Sequence, residues 1–305
     1  MELSPELLIE RAAARGLDLD PATARLDASG LDFMALHARD ASGVDWIVRA
    51  PRRPSVVARA AVEAWVLRLV APRLPVAVPD WRVYDDELIA YPRLAGAPAW
   101  EITADLGLVW ALRTPESPSE VFVDDLARLV AALWAVAPDD ARDAGVPTRE
   151  LSAAREELAG QLEVARAHHP IPERVWARWQ RFVNERRWPT EARFVHGDLH
   201  PGHLLIDGDE RVTGVLDWTE GHVGDPSVDL AGLTTCFGEA LLDRVLGRLD
   251  AMGVARDPGL REHAAERAAL SPALMLHFAV TEGTSVPVAP ALAMIAAQDA
   301  ALAGG

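Results

Sequence analysis

The chain of 305 residues is long enough to bury one large or two modest cores, and half of its residues are hydrophobic. Its 46 acidic residues outnumber its 30 basic ones, and the formal charge of −16 would repel a phosphate backbone, so nucleic acid is not an expected partner. A single cysteine, Cys236, excludes an internal disulfide, and no apolar run approaches the roughly 20 residues that cross a bilayer, so we expect a cytoplasmic protein without a membrane segment.

The basic residues are all of one kind. The sequence contains no Lys, so all 30 are Arg. If the protein handles a nucleotide, its phosphates must therefore be bound by Arg side chains, by backbone groups or by a metal ion. Composition leaves the oligomeric state open.

The first 94 residues have the pattern of a small antiparallel sheet with helices. Apolar residues at helical spacing predict the helices. The turn residues of 40–43, between two strand-like runs, predict a hairpin. The predicted elements, in chain order, are a helix capped by Ser4, a hairpin of residues 33–39 and 44–50, a helix over 55–69, and a hairpin of residues 81–84 and 88–91.

Beyond Pro92 the pattern changes to helices. Residues 94–98 predict a hinge, so we place the boundary between a lobe of residues 1–94 and a lobe of residues 95–305. A capping box from Ser117 to Glu120 predicts a helix through Ala135. Further helices are predicted over residues 149–168, 173–186, 227–235, 239–252, 259–281 (broken or kinked at Pro272) and 290–302. The fold class is α+β.

Residues 194–217 have the spacing of a phosphoryl-transfer site. In protein kinases a catalytic-loop Asp is followed five positions later by a metal-holding Asn, and a second metal-binding Asp follows on the next hairpin. Asp198, His203 and Asp217 occupy these places. We interpret Asp198 as the base that accepts or orients a substrate hydroxyl, and Asp217 as a magnesium ligand. Because magnesium prefers oxygen donors, His203 could bind the ion, donate to a phosphate or shape the loop.

Two other interpretations of this segment remain open. His196, Asp198, His200 and His203 are a dense set of metal-ligand types, which a zinc hydrolase could use with an open coordination position. The histidines could also be satisfied locally in a tight turn. The downstream residues 224–231 favour phosphotransfer, because they complete a longer pattern than either alternative requires. In that segment Asp229 is expected to anchor the catalytic loop, with His196 as a support residue.

The full pattern, H-G-D-L-x-x-x-x-L-L-I-D…G-V-L-D-W…G-D-P-x-x-D-L-A, resembles the antibiotic phosphotransferases that share the protein-kinase-like fold. The macrolide 2′-phosphotransferases are the most similar, in the His at position 203 and in residues 29–33, 46–53, 78–83 and 88–92. The resemblance covers residues 25–235 in the same order. It implies a bilobal fold and transfer of the γ-phosphoryl group of GTP, or of ATP, with Mg²⁺, to the 2′-hydroxyl of a macrolide amino sugar. Drug resistance would be the outcome.

The same resemblance indicates where the nucleotide would bind. Arg49 and its helix partner Glu63 correspond to the Lys-Glu pair of kinases. Residues 28–31 would cover the phosphates, although they contain one Gly where the kinase loop has three. The base would lie against the hinge strand. The predicted nucleotide contacts are Ser29, Gly30, Arg49, Glu63, Ala90, Tyr91 and Pro92.

The acceptor wall is expected in residues 268–298, which contain one acid, Glu282, among many apolar residues. Such a wall suits a large apolar ring, whereas a polycationic aminoglycoside requires several carboxylates. We expect the macrolactone to pack on Leu274, Met275 and Phe278, and His200 to face the acceptor. A kinase for an aminoglycoside or another small hydroxyl compound is the alternative within this fold.

Overall fold

The first lobe is built on a five-stranded antiparallel sheet in the order β1-β2-β3-β5-β4. In the computed structural model, residues 3–28, 30, 32–103, 107–184 and 188–304 are described. The elements of this lobe are α1 (Pro5–Ala13), β1 (Leu19–Asp27), β2 (Phe33–Asp40), β3 (Asp45–Pro51), α2 (Pro54–Val70), β4 (Val83–Tyr84) and β5 (Ile89–Pro92). Both predicted hairpins and both predicted helices of this lobe are confirmed.

Successive side chains of a strand point to opposite faces of the sheet, and each face packs on a different helix. Leu36 and Val48 point to the face that packs on α1, where they are fully buried with Leu8. On the other face Ile89 and Tyr91 pack with residues of α2. The sequence pattern does not predict β1, because its nine residues include Pro21 and few large apolar side chains. As an edge strand, β1 tolerates that proline.

The second lobe is mostly helical, as predicted. Its helices are α3 (Glu120–Trp134), α4 (Pro138–Asp143), α5 (Leu151–His168), α6 (Glu173–Asn184), α7 (Ser227–Phe237), α8 (Glu239–Ala251), α9 (Leu260–Ala268), α10 (Ser271–Glu282) and α11 (Val288–Gly304). One large apolar cluster joins α3, α7 and α8 to the C-terminal half of α2, and a second joins α5, α6, α10 and α11. Among the described helices, none combines the length and the apolar composition of a membrane span.

Of the predicted helix boundaries near Ser117 and Pro272, one is wrong and one is confirmed. The cap of α3 is Ser119, whose hydroxyl accepts the N–H of Phe122, so the predicted capping box at Ser117 is wrong. The predicted break near Pro272 is confirmed: α9 ends at Ala268 and α10 begins at Ser271. Pro272 lies in the first turn of α10, where its missing N–H costs no helix hydrogen bond.

Short strands surround the segment that carries the phosphoryl-transfer motif. They are β6 (Ala97–Pro98), β7 (Trp100–Ile102), β8 (Leu108–Trp110), β9 (Arg193–Val195), β10 (Leu204–Ile206), β11 (Val212–Val215) and β12 (His222–Gly224). Strand β9 leads into the motif, and the predicted β10–β11 hairpin carries the chain back to Asp217. Strand β6, from the predicted hinge, pairs with β10. The boundary between residues 94 and 95 stays a prediction.

Candidate active site

The backbone around Asp198 is fixed by a buried carboxylate on α7. Asp229 accepts the N–H of His196 at 2.8 Å and the N–H of Gly197 at 2.9 Å. Gly197 has φ +88°, and a Cβ there would collide with the carbonyl oxygen of Glu220, so only glycine fits. Burial raises the pKa of Asp229 to about 7 in spite of the two N–H groups. The chain is thereby held so that the side chain of Asp198 is 54% exposed.

His196 supports the same turn from the interior. It is fully buried, and its Nε2 lies 2.9 Å from the carbonyl oxygen of Leu216, while its Nδ1 lies 3.3 Å from the backbone nitrogen of Asp198. A ring nitrogen donates to a carbonyl and accepts from an N–H, so the neutral ring with hydrogen on Nε2 satisfies both contacts. Burial, reinforced by the nearby His203, lowers the pKa of His196 to about 4.

Asp198, His203 and Asp217 are brought together. The Nδ1 of His203 lies 2.9 Å from the carbonyl oxygen of Asp198 and 3.7 Å from the Oδ2 of Asp198. The Nε2 of His203 lies 3.8 Å from the Oδ2 of Asp217. Because Nδ1 must donate to the carbonyl, the lone pair of the neutral ring is on Nε2, which faces Asp217.

Asp217 is held in an unusual backbone conformation. Its φ is +57°, in the left-handed region that a side chain other than Asn or Asp rarely adopts. Its Oδ1 accepts the hydroxyl and the N–H of Thr219. Burial alone would raise the pKa of Asp217, but His203, Thr219 and Arg49 outweigh it and lower the pKa to about 2. The carboxylate is therefore ionised at neutral pH.

These donors fit a divalent cation. Asp217 offers an ionised carboxylate and His203 an available Nε2, and carboxylate oxygens are the ligands that Mg²⁺ prefers. Asp198, His200 and His203 also form a group whose potential ligand atoms lie within 4.8 Å of one another. The same turn could thus supply one carboxylate and two imidazoles, which is the donor set of the zinc alternative.

Arg49 on β3 and Glu63 on α2 are in contact. Two nitrogens of the guanidinium donate to the two carboxylate oxygens, at 3.1 and 3.3 Å. Glu63 is fully buried, which raises its pKa, and Arg49 opposes that rise. Burial alone would lower the pKa of Arg49, but Glu63 and its neighbours raise it above the ordinary value. The Cζ of Arg49 also lies 4.0 Å above the ring of Phe33.

A cleft of about 520 Å³ lies between the lobes. The first lobe contributes Gly30, Arg49 and Tyr91, and the second contributes Asp198 and Asp217. Of the three hinge residues predicted to meet the base, only Tyr91 is among the described residues that line the cleft. Ala90 is fully buried, and its carbonyl oxygen accepts the N–H of Arg82. Ser29 lies outside the described residues.

A second cavity has a volume of about 380 Å³, and its described lining residues all belong to the second lobe. We call it the acceptor pocket, because two of the predicted acceptor contacts line it. Leu274 and Met275 of α10 line one side. Phe278 does not join them, because it lines the cleft instead. His200 lines neither cavity: it packs against Trp100 and His203, at ring distances of 5.8 and 4.0 Å. The predicted acceptor contacts are thus only partly brought together.

The acceptor pocket is more charged than residues 268–298 alone suggest. It is also lined by Arg149, Glu157, Asp225 and Arg267. Sequence reasoning missed Glu157 and Arg267, because each is an ordinary polar position of an amphipathic helix far from the motif. Asp225 stands in the G-D-P-x-x-D segment, which is the one sequence signal that could have pointed to this region.

The buried carboxylate of Asp225 connects three residues around the acceptor pocket. Its Oδ2 accepts from the Nε2 of His263 and from Arg267, both at 3.1 Å, and its Oδ1 accepts the N–H of Ser227 at 2.9 Å. Burial would raise the pKa of Asp225, but His263 and Arg267 lower it to about 2. Arg267 is thereby held at the pocket wall.

A small antiparallel lobe, a helical lobe and an aspartate-bearing loop between them are the arrangement of a kinase-like phosphotransferase. The model of the phosphotransferase enzyme family matches residues 23–296. The chain belongs to that family, and the predicted bilobal kinase-like fold is confirmed.

The solved structures similar to this chain include macrolide 2′-phosphotransferases. The apoenzyme from Brachybacterium faecium is 36% identical, with a TM-score of 0.82 over 95% of this chain and 97% of that chain. A type I macrolide 2′-phosphotransferase is 37% identical, with a TM-score of 0.85 over 95% of this chain and 96% of that chain. The Bacillus subtilis (strain 168) protein YcbJ is 36% identical over 267 residues, which is 87% of each chain. The predicted resemblance is confirmed.

More distant neighbours share the fold alone. The GDP complex of aminoglycoside 2′-phosphotransferase-IIIa is 17% identical, with a TM-score of 0.72 over 97% of each chain. An ADP-bound aminoglycoside phosphotransferase is 15% identical, with a TM-score of 0.64 over 96% of this chain and 98% of that chain.

Proposed function

We propose that the protein transfers the γ-phosphoryl group of a purine nucleoside triphosphate to the 2′-hydroxyl of a macrolide amino sugar, and thereby inactivates the drug. The observation that carries this proposal is the position of Asp198, the only described residue that lines both the cleft and the acceptor pocket. Direct phosphoryl transfer requires that donor and acceptor meet in line at one base. The macrolide 2′-phosphotransferases, at 36% and 37% identity, support the choice of acceptor.

In this mechanism Asp198 accepts the proton of the acceptor hydroxyl. As that oxygen forms its bond to the γ-phosphorus, the bond from the phosphorus to the bridging oxygen breaks, and the nucleoside diphosphate leaves. The half-exposed carboxylate is accessible from both cavities, while the buried Asp229 fixes the backbone behind it. The fold therefore positions Asp198 before substrate binds.

Asp217 and His203 would hold a divalent metal ion beside the phosphates. The ionised carboxylate and the lone pair on Nε2 face each other across 3.8 Å. When bound, the ion would neutralise phosphate charge as the transferred group moves. Arg49, fixed by Glu63, would add a planar donor set suited to phosphate oxygens.

The acceptor pocket suits a molecule with one amine and a large apolar body. Leu274 and Met275 provide apolar surface. Arg267 is paired with Asp225, and Arg149 is paired with Glu220. Glu157 and Asp198 make no ion pair with an Arg in the described part of the chain. Two such carboxylates suit the single ammonium group of an amino sugar better than the several charges of an aminoglycoside.

The test is mass spectrometry of an erythromycin-type macrolide and an aminoglycoside, each incubated with enzyme, Mg²⁺ and either GTP or ATP. We expect the macrolide to gain one phosphoryl group, with GTP used at least as well as ATP. Gain by the aminoglycoside alone, or by neither compound, would show that the acceptor assignment is wrong. Strong preference for ATP would count against the GTP expectation.

One observation favours a function of another class. The ligand atoms of Asp198, His200 and His203 lie close enough to share a metal ion. A zinc hydrolase would hydrolyse its substrate in the presence of Zn²⁺ and without nucleotide. An incubation with Zn²⁺ and no nucleotide therefore belongs in the same experiment, and we expect no product from it.

A further inference from the structure

The cleft between the lobes has an excess of negative charge. Its described lining includes the acids Asp27, Asp32, Asp198, Asp217, Glu220 and Glu282. The described lining contains only two basic residues, Arg49 and Arg59. A nucleotide adds more negative charge, so its phosphates need cations beyond a metal ion if binding is to be favourable. The sequence has no Lys that could supply one.

Arg49 is already paired with a carboxylate of the protein. Two of its nitrogens contact the carboxylate of Glu63, which is fully buried and would be left as an uncompensated charge if Arg49 moved away. The N–H groups of Arg49 that do not contact Glu63 can therefore donate to a phosphate, but much of the charge of Arg49 is balanced by Glu63.

Arg59 is differently placed. It lies on α2 one helical turn before Glu63, so the two side chains are on the same face of the helix. Its side chain is 42% exposed, and its guanidinium contacts the Oδ2 of Asp32 at the cleft. The other carboxylate oxygen of Asp32 accepts from Arg53 at 2.8 Å. If Arg59 turned away, Asp32 would keep a cationic partner in Arg53.

We propose that Arg59 is a second phosphate-binding cation, which exchanges the carboxylate of Asp32 for a nucleotide phosphate. The inference rests on the proposed function in that the cleft binds a nucleotide. The exchange replaces one charge-assisted contact of a planar guanidinium with another of the same kind, so it needs no rearrangement beyond the side chain. Asp32 acts as a holding group that keeps Arg59 at the cleft before nucleotide arrives.

The first experiment measures binding of GDP, ADP and the two parent nucleosides by calorimetry with Mg²⁺ present. Arg59→Gln is compared with wild type and with Arg68→Gln, a control on the exposed side of the same helix and outside the cleft. We expect Arg59→Gln to weaken binding of the preferred diphosphate about tenfold, because one charge-assisted hydrogen bond is lost at a partly exposed site. Nucleoside binding and the control should not change.

Three outcomes would decide against the inference. Unchanged diphosphate binding by Arg59→Gln overturns it while leaving the proposed function intact. Equal weakening for nucleoside and diphosphate also overturns it, because the effect would then not involve phosphate. Failure of the wild-type protein to bind either diphosphate overturns the proposed function itself, and this inference falls with it.

The second experiment tests the exchange through Asp32→Asn, in the wild-type and Arg59→Gln backgrounds. Removing the competing carboxylate should tighten diphosphate binding when Arg59 is present and have a clearly smaller effect when it is absent. If Asp32→Asn changes binding equally in both backgrounds, in either direction, the exchange is wrong. Thermal unfolding of each variant checks that the fold is kept.

Discussion

The cleft and the acceptor pocket are adjoining cavities of different origin. The cleft is lined by both lobes and carries many charged side chains, including the Arg49–Glu63 pair and Asp217. The described lining of the acceptor pocket comes from the second lobe, and it combines an apolar side on α10 with charges that are mostly paired within the protein. Asp198 is the only described residue common to both. If the two cavities bind acceptor and nucleotide as proposed, we expect substitutions in the acceptor pocket to have little effect on nucleotide binding. Four measurements test the two cavities.

The largest effect is expected at the shared residue. Asp198→Asn keeps the size of the side chain and removes the proposed proton acceptor, so turnover should fall by about 10² to 10⁴ while affinity for nucleotide stays nearly unchanged. The measurement combines steady-state turnover with calorimetric binding of nucleotide. Asp209→Asn, an exposed acid in the β10–β11 turn, is the matched control and should have normal turnover. Near-normal turnover of Asp198→Asn would remove the residue from this role.

The second effect belongs to the cleft alone. Arg49→Met leaves Glu63 buried without its partner, which should lower the free energy of unfolding by up to about 3–5 kcal/mol. Chemical denaturation measures the loss. The double variant Arg49→Met/Glu63→Leu removes both charges and should recover most of the stability but not the nucleotide affinity. Recovery of nucleotide affinity together with stability would show that Arg49 is only structural.

The third measurement compares two residues of α10 that line different cavities. Met275→Ala should raise the KM for the acceptor about tenfold through lost apolar contact, and leave the KM for nucleotide unchanged. Phe278→Ala, one turn along α10, should instead raise the KM for nucleotide, because Phe278 lines the cleft. If both variants affect the acceptor equally, the division between the cavities is wrong.

The fourth effect is a pH dependence of stability that arises in the acceptor pocket. Burial, reinforced by Arg149, lowers the pKa of His222 from 6.5 to about 4. Between these values the unfolded chain binds the proton and the folded chain does not, so stability falls as the pH drops from 6.5 towards 4, at most by about 1.4 kcal/mol per pH unit. His222→Asn should reduce that slope. Denaturation at pH 7, 6 and 5 measures it, with His168→Asn, on the exposed end of α5, as the control. An unchanged slope in His222→Asn would contradict the assignment.

The fold class and the geometry of the motif could be predicted from the sequence, because both depend on local order. Asp198 and His203 are five residues apart in one turn, and a short hairpin returns the chain to Asp217, so their spacing predicts their approach. The alternation of β2 and β3 likewise predicts which side chains reach the core. Strand β1 was not predicted, because an edge strand can form with few apolar side chains and with a proline.

Which cavity each side chain faces could not be predicted from the sequence, because it depends on how distant elements pack. Glu157 and Arg267 meet at one pocket although 110 positions separate them, and no local rule brings α5 and α9 together. Leu274 and Phe278 share a helix face, but the rise of about 6 Å over four residues carries Phe278 past the pocket to the cleft. Local spacing fixes the distance between neighbours in the chain. Which distant surfaces meet depends on how the helices pack, and that depends on the whole core at once.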